Sequence, residues 1–211
     1  MNLALLTRRG TAVLALHYQN EVLHEDGRIR VGLAPGDPRR AAVIAGAARM
    51  LAWGRAHGLP LVFVRIAFRP GHVDVIRNCK VFRDVVRLDA AVDGTWGAEF
   101  LPALAPRAQG PREFTITHQR VGAFHGTPLR DLLDALKVRR LVVGGVSTHS
   151  VVATSVAAAA DAGYEVAVVA DACASADPGL HDYALRSMEL VAEVCSMDQL
   201  EGLPAAGEGH D

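Results

Sequence analysis

The sequence predicts an α/β protein: one doubly wound, Rossmann-like sheet of six parallel strands with helices on both faces. Apolar runs of strand length alternate with longer helical patterns along the whole chain, the order that a parallel sheet with crossover helices requires. Central runs such as Arg140–Val146 (RLVVGGV) show no polar alternation, as strands covered on both faces do. The 211 residues, 50% apolar and 21% charged, have the composition of a single domain, 1–211, with a substantial core.

Each element has a local reason. The first strand, Thr11–Leu16 (TAVLAL), stops at the polar cluster His17-Tyr18-Gln19-Asn20. An Ala-rich helix is expected over Pro38–His57, with Asp37 and Pro38 as cap and first residue, and Leu61–Ile66 is the second strand. Residues 68–110 hold no clean period and carry the fragment GTWGAE at 94–99; a stretch that long predicts a functional excursion over one sheet edge. Glu113–His118 is the third strand. Thr127 and Pro128 open a helix whose Leu129, Leu132, Leu133 and Leu136 form one buried stripe. After Arg140–Val146, a small-residue helix over Ser150–Ala162 ends at Gly163. Glu165–Ala170 is the fifth strand, Asp177 caps a helix over Pro178–Leu190, and Ala192–Ser196 is a short sixth strand. Residues 201–211, rich in Gly, Ala and acid, read as a tail.

Charge and cysteine usage exclude several classes of function. Twenty-two basic against 23 acidic residues give a formal charge of −1, so neither nucleic acid nor a membrane surface is an expected partner. No apolar run is long enough to span a bilayer, and the N-terminus lacks the pattern of a secretion signal. Three cysteines, Cys79, Cys173 and Cys195, have neither disulfide-framework nor zinc-ribbon spacing, and a cytoplasmic location is expected. Nine histidines are many for this length, and His is the side chain best suited to acid–base work near neutral pH.

In doubly wound sheets ligands bind outside the carboxyl ends of the strands. That rule brings His17, the stretch from Ile66 to Arg69, His118 and the stretch from Ser147 to Val151 to one rim. The segments TAVLALHYQN at 11–20, HQRVGAFHGTPL at 118–129 and GVSTHSVVATSVAAAADAGY at 145–164, followed by VVADACAS, resemble the isochorismatase-like superfamily in order and spacing, nearly end to end. The resemblance implies a six-stranded parallel α/β fold and a homo-oligomer, dimer or tetramer. It also implies an active site which, in the amidohydrolase branch, combines an Asp, a Lys and a nucleophilic Cys. Position by position, those residues fall on His17, His118 and Val151, so the triad is replaced throughout.

A valine cannot act as a nucleophile, which excludes a covalent thioester at this position. Two imidazoles in contact repel if both are protonated, so at most one carries charge near pH 7, and His17 and His118 are the expected catalytic acid–base pair. In the family, the N–H groups at the positions of Ser147 and Val151 form an oxyanion hole, with a cis peptide often preceding Ser147; backbone donors survive side-chain replacement. Gln19, Phe68, Trp96, Arg120, Phe124, His149 and Ser150 complete the expected substrate site, Ser150 being turned about 100° from the Val151 direction on an α-helix. Trp96 and Phe124 are expected as aromatic walls and Arg120 as a binder of an anionic group. No cofactor and no metal are expected: no ligand spacing is recognisable, and His72 alone matches the metal loop of the nicotinamidase type. The substrate is a small organic metabolite, undergoing hydrolysis or a non-hydrolytic rearrangement or cyclisation. The alternative is a non-catalytic homologue that binds a small molecule or serves as a scaffold.

Overall fold

In the computed structural model, which describes residues 1–204, the strands are β1 (Thr11–Leu16), β2 (Leu61–Ile66), β3 (Glu113–His118), β4 (Arg140–Val146), β5 (Glu165–Ala174) and β6 (Glu193–Cys195). They form one six-stranded sheet, parallel throughout, in the order β3-β2-β1-β4-β5-β6. The chain winds outward from β1 to β3, then returns to place β4 on the other side of β1, so the switch point lies between β1 and β4.

The helices are α1 (Asn20–Leu23), α2 (Arg40–Ala56), α3 (Lys80–Arg87), α4 (Leu129–Ala135), α5 (Ala153–Asp161), α6 (Pro178–Met188) and α7 (Met197–Glu201). Successive strand residues face opposite sides, and the two sides build separate cores. Val13, Ala15, Phe63, Val142 and Val169 pack with Val43, Ala47 and Met50 of α2 and with Met197 and Leu200 of α7. Leu14, Leu16, Val62, Val143 and Val168 pack with Leu129 and Leu133 of α4, Val156 of α5 and Met188 of α6. None of the helices among the described residues is long and apolar enough to cross a membrane.

Several boundaries differ from the sequence expectation for local reasons. α2 starts at Arg40 because the Asp37 carboxylate is held by Arg39, through the backbone N–H at 2.9 Å and the guanidinium at 2.6 Å. β5 runs past Ala170 to Ala174 across a register shift opposite Val143 and Gly145, then re-pairs Gly145 with Cys173 and Val146 with Ala174. Within this extension Asp171 accepts the Met197 N–H at 2.5 Å. A Cβ at Gly46 would lie 2.1 Å from the Asp171 carbonyl oxygen, so glycine is what lets α2 cross β5 this closely. Glu201, expected in the tail, is the last residue of α7: Ser196 and Gln199 form a reciprocal capping box on that helix, and Glu201 meets Arg49 at 2.7 Å. The remainder, 205–211, lies outside the described residues.

The excursion after β2 is ordered by a buried acid. Glu21 on α1 is fully buried; its carboxylate accepts the Arg28 N–H at 2.8 Å, Arg28 Nε at 3.0 Å and the Ala91 N–H at 3.1 Å. Burial raises the Glu21 pKa, but the bonds from Arg28 and Ala91 outweigh it and hold the carboxyl below its usual range. A Cβ on Gly97 would stand 2.0 Å from Glu21 Oε2. Gly97→Ala is therefore expected to destabilise the fold by about 1–3 kcal/mol through overpacking, read as a lower urea midpoint with unchanged slope.

Candidate active site

β1 hands the chain to His17 at the switch point. The His17 N–H donates to Val64 O at 2.9 Å, prolonging the β1–β2 ladder by one bond, and its backbone then turns into the left-handed region with φ 56°. His is among the non-glycine residues that tolerate this region best. His118 is the last residue of β3, fully buried, while His17 is 8% exposed. Although β3 is two strands from β1, the side chains meet over the end of β2, with 2.5 Å between His17 Nε2 and His118 Nε2.

The hydrogen-bond network decides the tautomers. His118 Nδ1 lies 3.2 Å from Gly122 O, which can only accept, so Nδ1 carries a proton. In a neutral His118 the Nε2 atom is then an acceptor, so His17 Nε2 must donate and His17 Nδ1 keeps a lone pair. Burial, and then the neighbouring imidazole, drives the His17 pKa well below its ordinary value. Burial also lowers His118, to about 4, with the Gly122 bond opposing. Both rings are neutral at pH 7, unlike the fixed ion pair that an Asp and a Lys would form.

His17 faces a small cavity of about 30 Å³ whose polar wall is completed by Arg120, Ser147 and Ser150. It adjoins an outer chamber of about 560 Å³, and the two share Ile29, Val31, Val81, Val85, Val121 and Ser150. Ser147 is 1% exposed, and its Oγ has no hydrogen-bond partner among the described residues. Arg120 Nη1 is likewise buried and unpartnered. The Arg120 guanidinium stacks 4.7 Å above the Phe82 ring, and its Nη2 reaches Asn78 Oδ1 at 3.3 Å. Arg28, Arg30, Lys80 and Arg87 line the outer chamber, with Asp84 as its carboxylate.

Thus His17, Arg120, Ser147 and Ser150 come together at the inner cavity, and His149 lies on the outer wall, its Nδ1 2.8 Å from Ser175 Oγ. The Val146–Ser147 peptide is cis. Ser150 reaches the wall because Thr148–Val152 is a π-helical turn, whose smaller rotation per residue departs from the α-helical geometry expected there. Val151 is buried in the core under α4 to α6.

Four expected substrate-site residues lie elsewhere. Gln19 is fully buried, donating to Ile66 O and Ala98 O at 2.9 and 2.8 Å and accepting the Ile66 N–H at 2.8 Å; its amide ties the loop to β2. Phe68 is buried one layer back, edge-on to Phe82 at 6.2 Å, so Phe82 is the wall and Phe68 its support. Trp96 is 51% exposed and packs edge-on to His24 at 5.0 Å. Phe124 packs toward Tyr164, 6.1 Å away, against the opposite core. The walls come instead from Val22, Ile29 and Val31 after β1, and from Val81, Phe82 and Val85 on α3. The amphipathic spacing in KVFRDVVR was the available signal for the second group.

Neither chamber is lined by a cysteine. Burial raises the Cys173 thiol to about 12 and the Cys195 thiol to about 11, so both stay protonated. Among the described residues no three His, Cys, Asp or Glu side chains converge as metal ligands, and His72 Nε2 is engaged by Ala90 O at 2.9 Å.

A parallel sheet ordered 3-2-1-4-5-6, with histidine, serine and arginine gathered at its switch point, defines a Rossmann-like α/β domain with one site at the carboxyl edge. An isochorismatase domain is recognised over residues 11–199, and the chain belongs to the isochorismatase family. It is 26% identical over 187 residues to a probable inactive nicotinamidase of Arabidopsis thaliana, covering 86% of this chain and 89% of that one. It is 27% identical over 180 residues to a ureidoacrylate amidohydrolase of Methylobacterium radiotolerans, covering 77% and 69%. The crystal structure of a cysteine hydrolase from Pseudomonas syringae superposes with a TM-score of 0.80 at 19% identity, over 97% of this chain and 96% of that one, a likeness of fold.

The tautomer assignment predicts that nitrogen-15 spectra of labelled histidine at neutral pH show His118 protonated on Nδ1 and His17 on Nε2, with neither ring cationic. It also sets a stability slope. Folded His118 titrates near 4, below its ordinary 6.5, so the unfolded chain binds the extra proton between those values. Stability from this group is full above the upper value and falls by up to about 3 kcal/mol as pH drops toward the lower one. Urea titrations across that window should show the loss, and His118→Gln should flatten it.

Proposed function

We propose that this chain is an enzyme acting on a small organic metabolite through a cysteine-free site, with His17 and His118 as its proton-transfer pair. The observation that carries this reading is the Nε2 to Nε2 contact of 2.5 Å at the wall of a cavity. A proton accepted at His17 Nδ1 lets the Nε2 proton pass to His118 Nε2. The positive charge then rests on His118, whose Nδ1–H is held by Gly122 O. Reversal of both transfers returns the proton to the substrate, so the pair begins as a base and finishes as an acid. Val151 offers no nucleophile, so the chemistry is direct: water activated for hydrolysis, or proton movement within a substrate that rearranges or cyclises. The backbone N–H groups of Ser147 and Val151 are the proposed donors to developing negative charge on oxygen.

Kinship with amidohydrolases supports a substrate carrying a polarised carbonyl. A second reading, a non-catalytic binding homologue, is favoured by the cavity size alone: about 30 Å³ takes about two water-sized atoms. Only one small group of a metabolite fits beside His17, and the rest of the molecule occupies the outer chamber.

Incubation with a metabolite extract, followed by mass spectrometry, identifies the consumed species. His17→Gln and His118→Gln should each slow its consumption by about 10²–10⁴-fold. For the parent protein, kcat should be level through neutral pH and decline on the acid side as the pair becomes protonated. Equal turnover in parent and both variants would overturn the proton-transfer pair, and no consumption by the parent of any species in the extract would leave the binding reading in place.

A further inference from the structure

Two side chains on the wall of the inner cavity keep a polar atom that the folded chain leaves over. Ser147 and Arg120 line the same space of about 30 Å³, and Ser147 Oγ and Arg120 Nη1, both buried, have no hydrogen-bond partner among the described residues. An unsatisfied buried donor costs about 1–3 kcal/mol, more when it is charged, so a pair of them facing one cavity marks a place where a ligand atom completes the bonding. The remaining contacts of the Arg120 guanidinium are a neutral amide, Asn78 Oδ1 at 3.3 Å, and the face of Phe82; none of the carboxylates among the described residues pairs with it. The other titratable group on the cavity is His17, which is uncharged. The cavity therefore holds one uncompensated positive charge, an open hydroxyl and an otherwise apolar wall.

We infer that this cavity receives the carboxylate of a small organic acid, one oxygen against Arg120 Nη1 and the other against Ser147 Oγ. Three features choose that ligand class. A guanidinium with a free N–H favours an anionic oxygen, and charge-assisted bonds of this kind are about twice as strong as neutral ones. The inner space is small, about 30 Å³, and suits a planar carboxylate better than a tetrahedral oxyanion with two further oxygens. The approach keeps a smaller cationic excess: Arg28 is engaged by Glu21, Lys80 and Arg87 share the one carboxylate of Asp84, and Arg30 meets no carboxylate among the described residues, so the field still draws anions inward.

The inference rests on this cavity being the active site and narrows its substrate. His17 shares the cavity with the carboxylate, so the proton it exchanges lies on that group or on the atom beside it. The substrate class is a carboxylic acid functionalised at the position next to the carboxylate, with the rest of the molecule in the outer chamber.

The probes are propionate, its uncharged analogue propanamide, and inorganic phosphate, titrated by calorimetry into the parent protein and into Arg120→Gln, Arg120→Lys, Ser147→Ala and His17→Gln. Propionate should bind at least about tenfold more tightly than propanamide or phosphate, and Arg120→Gln should remove about tenfold or more of that affinity. Arg120→Lys, which keeps the charge, should recover part of it. Ser147→Ala should weaken it less, and guards against a misfolded Arg120→Gln. Equal binding of propionate and propanamide, or propionate affinity unchanged by Arg120→Gln, overturns the inference; tighter phosphate than propionate does so too. Propionate binding in His17→Gln separates the two readings. If it persists while turnover proves independent of His17, the carboxylate site stands and the proton-transfer reading fails. If turnover depends on His17 while propionate is ignored, the reverse holds.

Discussion

The site depends on the Glu21 carboxylate. A parallel sheet supplies a rim of strand ends, but a rim is an open crevice until something roofs it. Glu21, one helical turn past β1, collects the loop at Arg28 and the far end of the excursion at Ala91, and Gly97 has no side chain because the carboxylate occupies that space. Ile29 and Val31 follow directly on one bound segment, and α3, carrying Val81, Phe82 and Val85, precedes the other. An ion pair between a buried carboxylate and a half-exposed guanidinium adds little net stability. Its effect is geometric: it joins two loops that share no strand and gives the cavity a wall on the side facing away from the sheet.

Beneath that roof the electrostatics differ from those of a cysteine hydrolase. An Asp and a Lys would face each other as fixed charges, whereas two buried imidazoles are held neutral by desolvation and share one hydrogen bond. The positive charge on the inner cavity is that of Arg120, on the loop beyond His118, where it is set over the Phe82 ring. On the proposed reading, the pair moves a proton without first breaking an ion pair, and the charge inferred to attract a ligand belongs to a residue that need not change its protonation state.

The strands were legible because burial on both faces makes each an apolar run, and the histidines because they stand at strand ends, where any side chain on this topology faces the rim. What escaped was set by partners distant in sequence. Gln19 looks the same whether its amide meets a ligand or the Ile66 backbone, and only the position of β2 decides it. α3 was hidden because KVFRDVVR is short, charged and embedded among Gly and Pro. Val22 lies on α1, a helix of four residues too short to show a period, and Ile29 and Val31 lie on the loop held by Glu21. Trp96 and Phe124 are large aromatics near the right motifs, yet the first packs outward on His24 and the second on the opposite side of the sheet. Ser150 turned toward the cavity because the helix opens with a π turn, a local detail that pattern does not encode.

The overrun of β5 carries one more consequence. Beyond Ala174, Ser175 Oγ holds His149 at 2.8 Å on one lip of the outer chamber, and the Ala176 N–H reaches Val31 O at 3.4 Å on the other. Arg39 clasps the Ser175 and Ala176 carbonyls at 3.1 Å, joining that strand end to α2. Both lips thus hang from one segment, so the two sides of the entrance are tied to the same strand end and to α2 behind it.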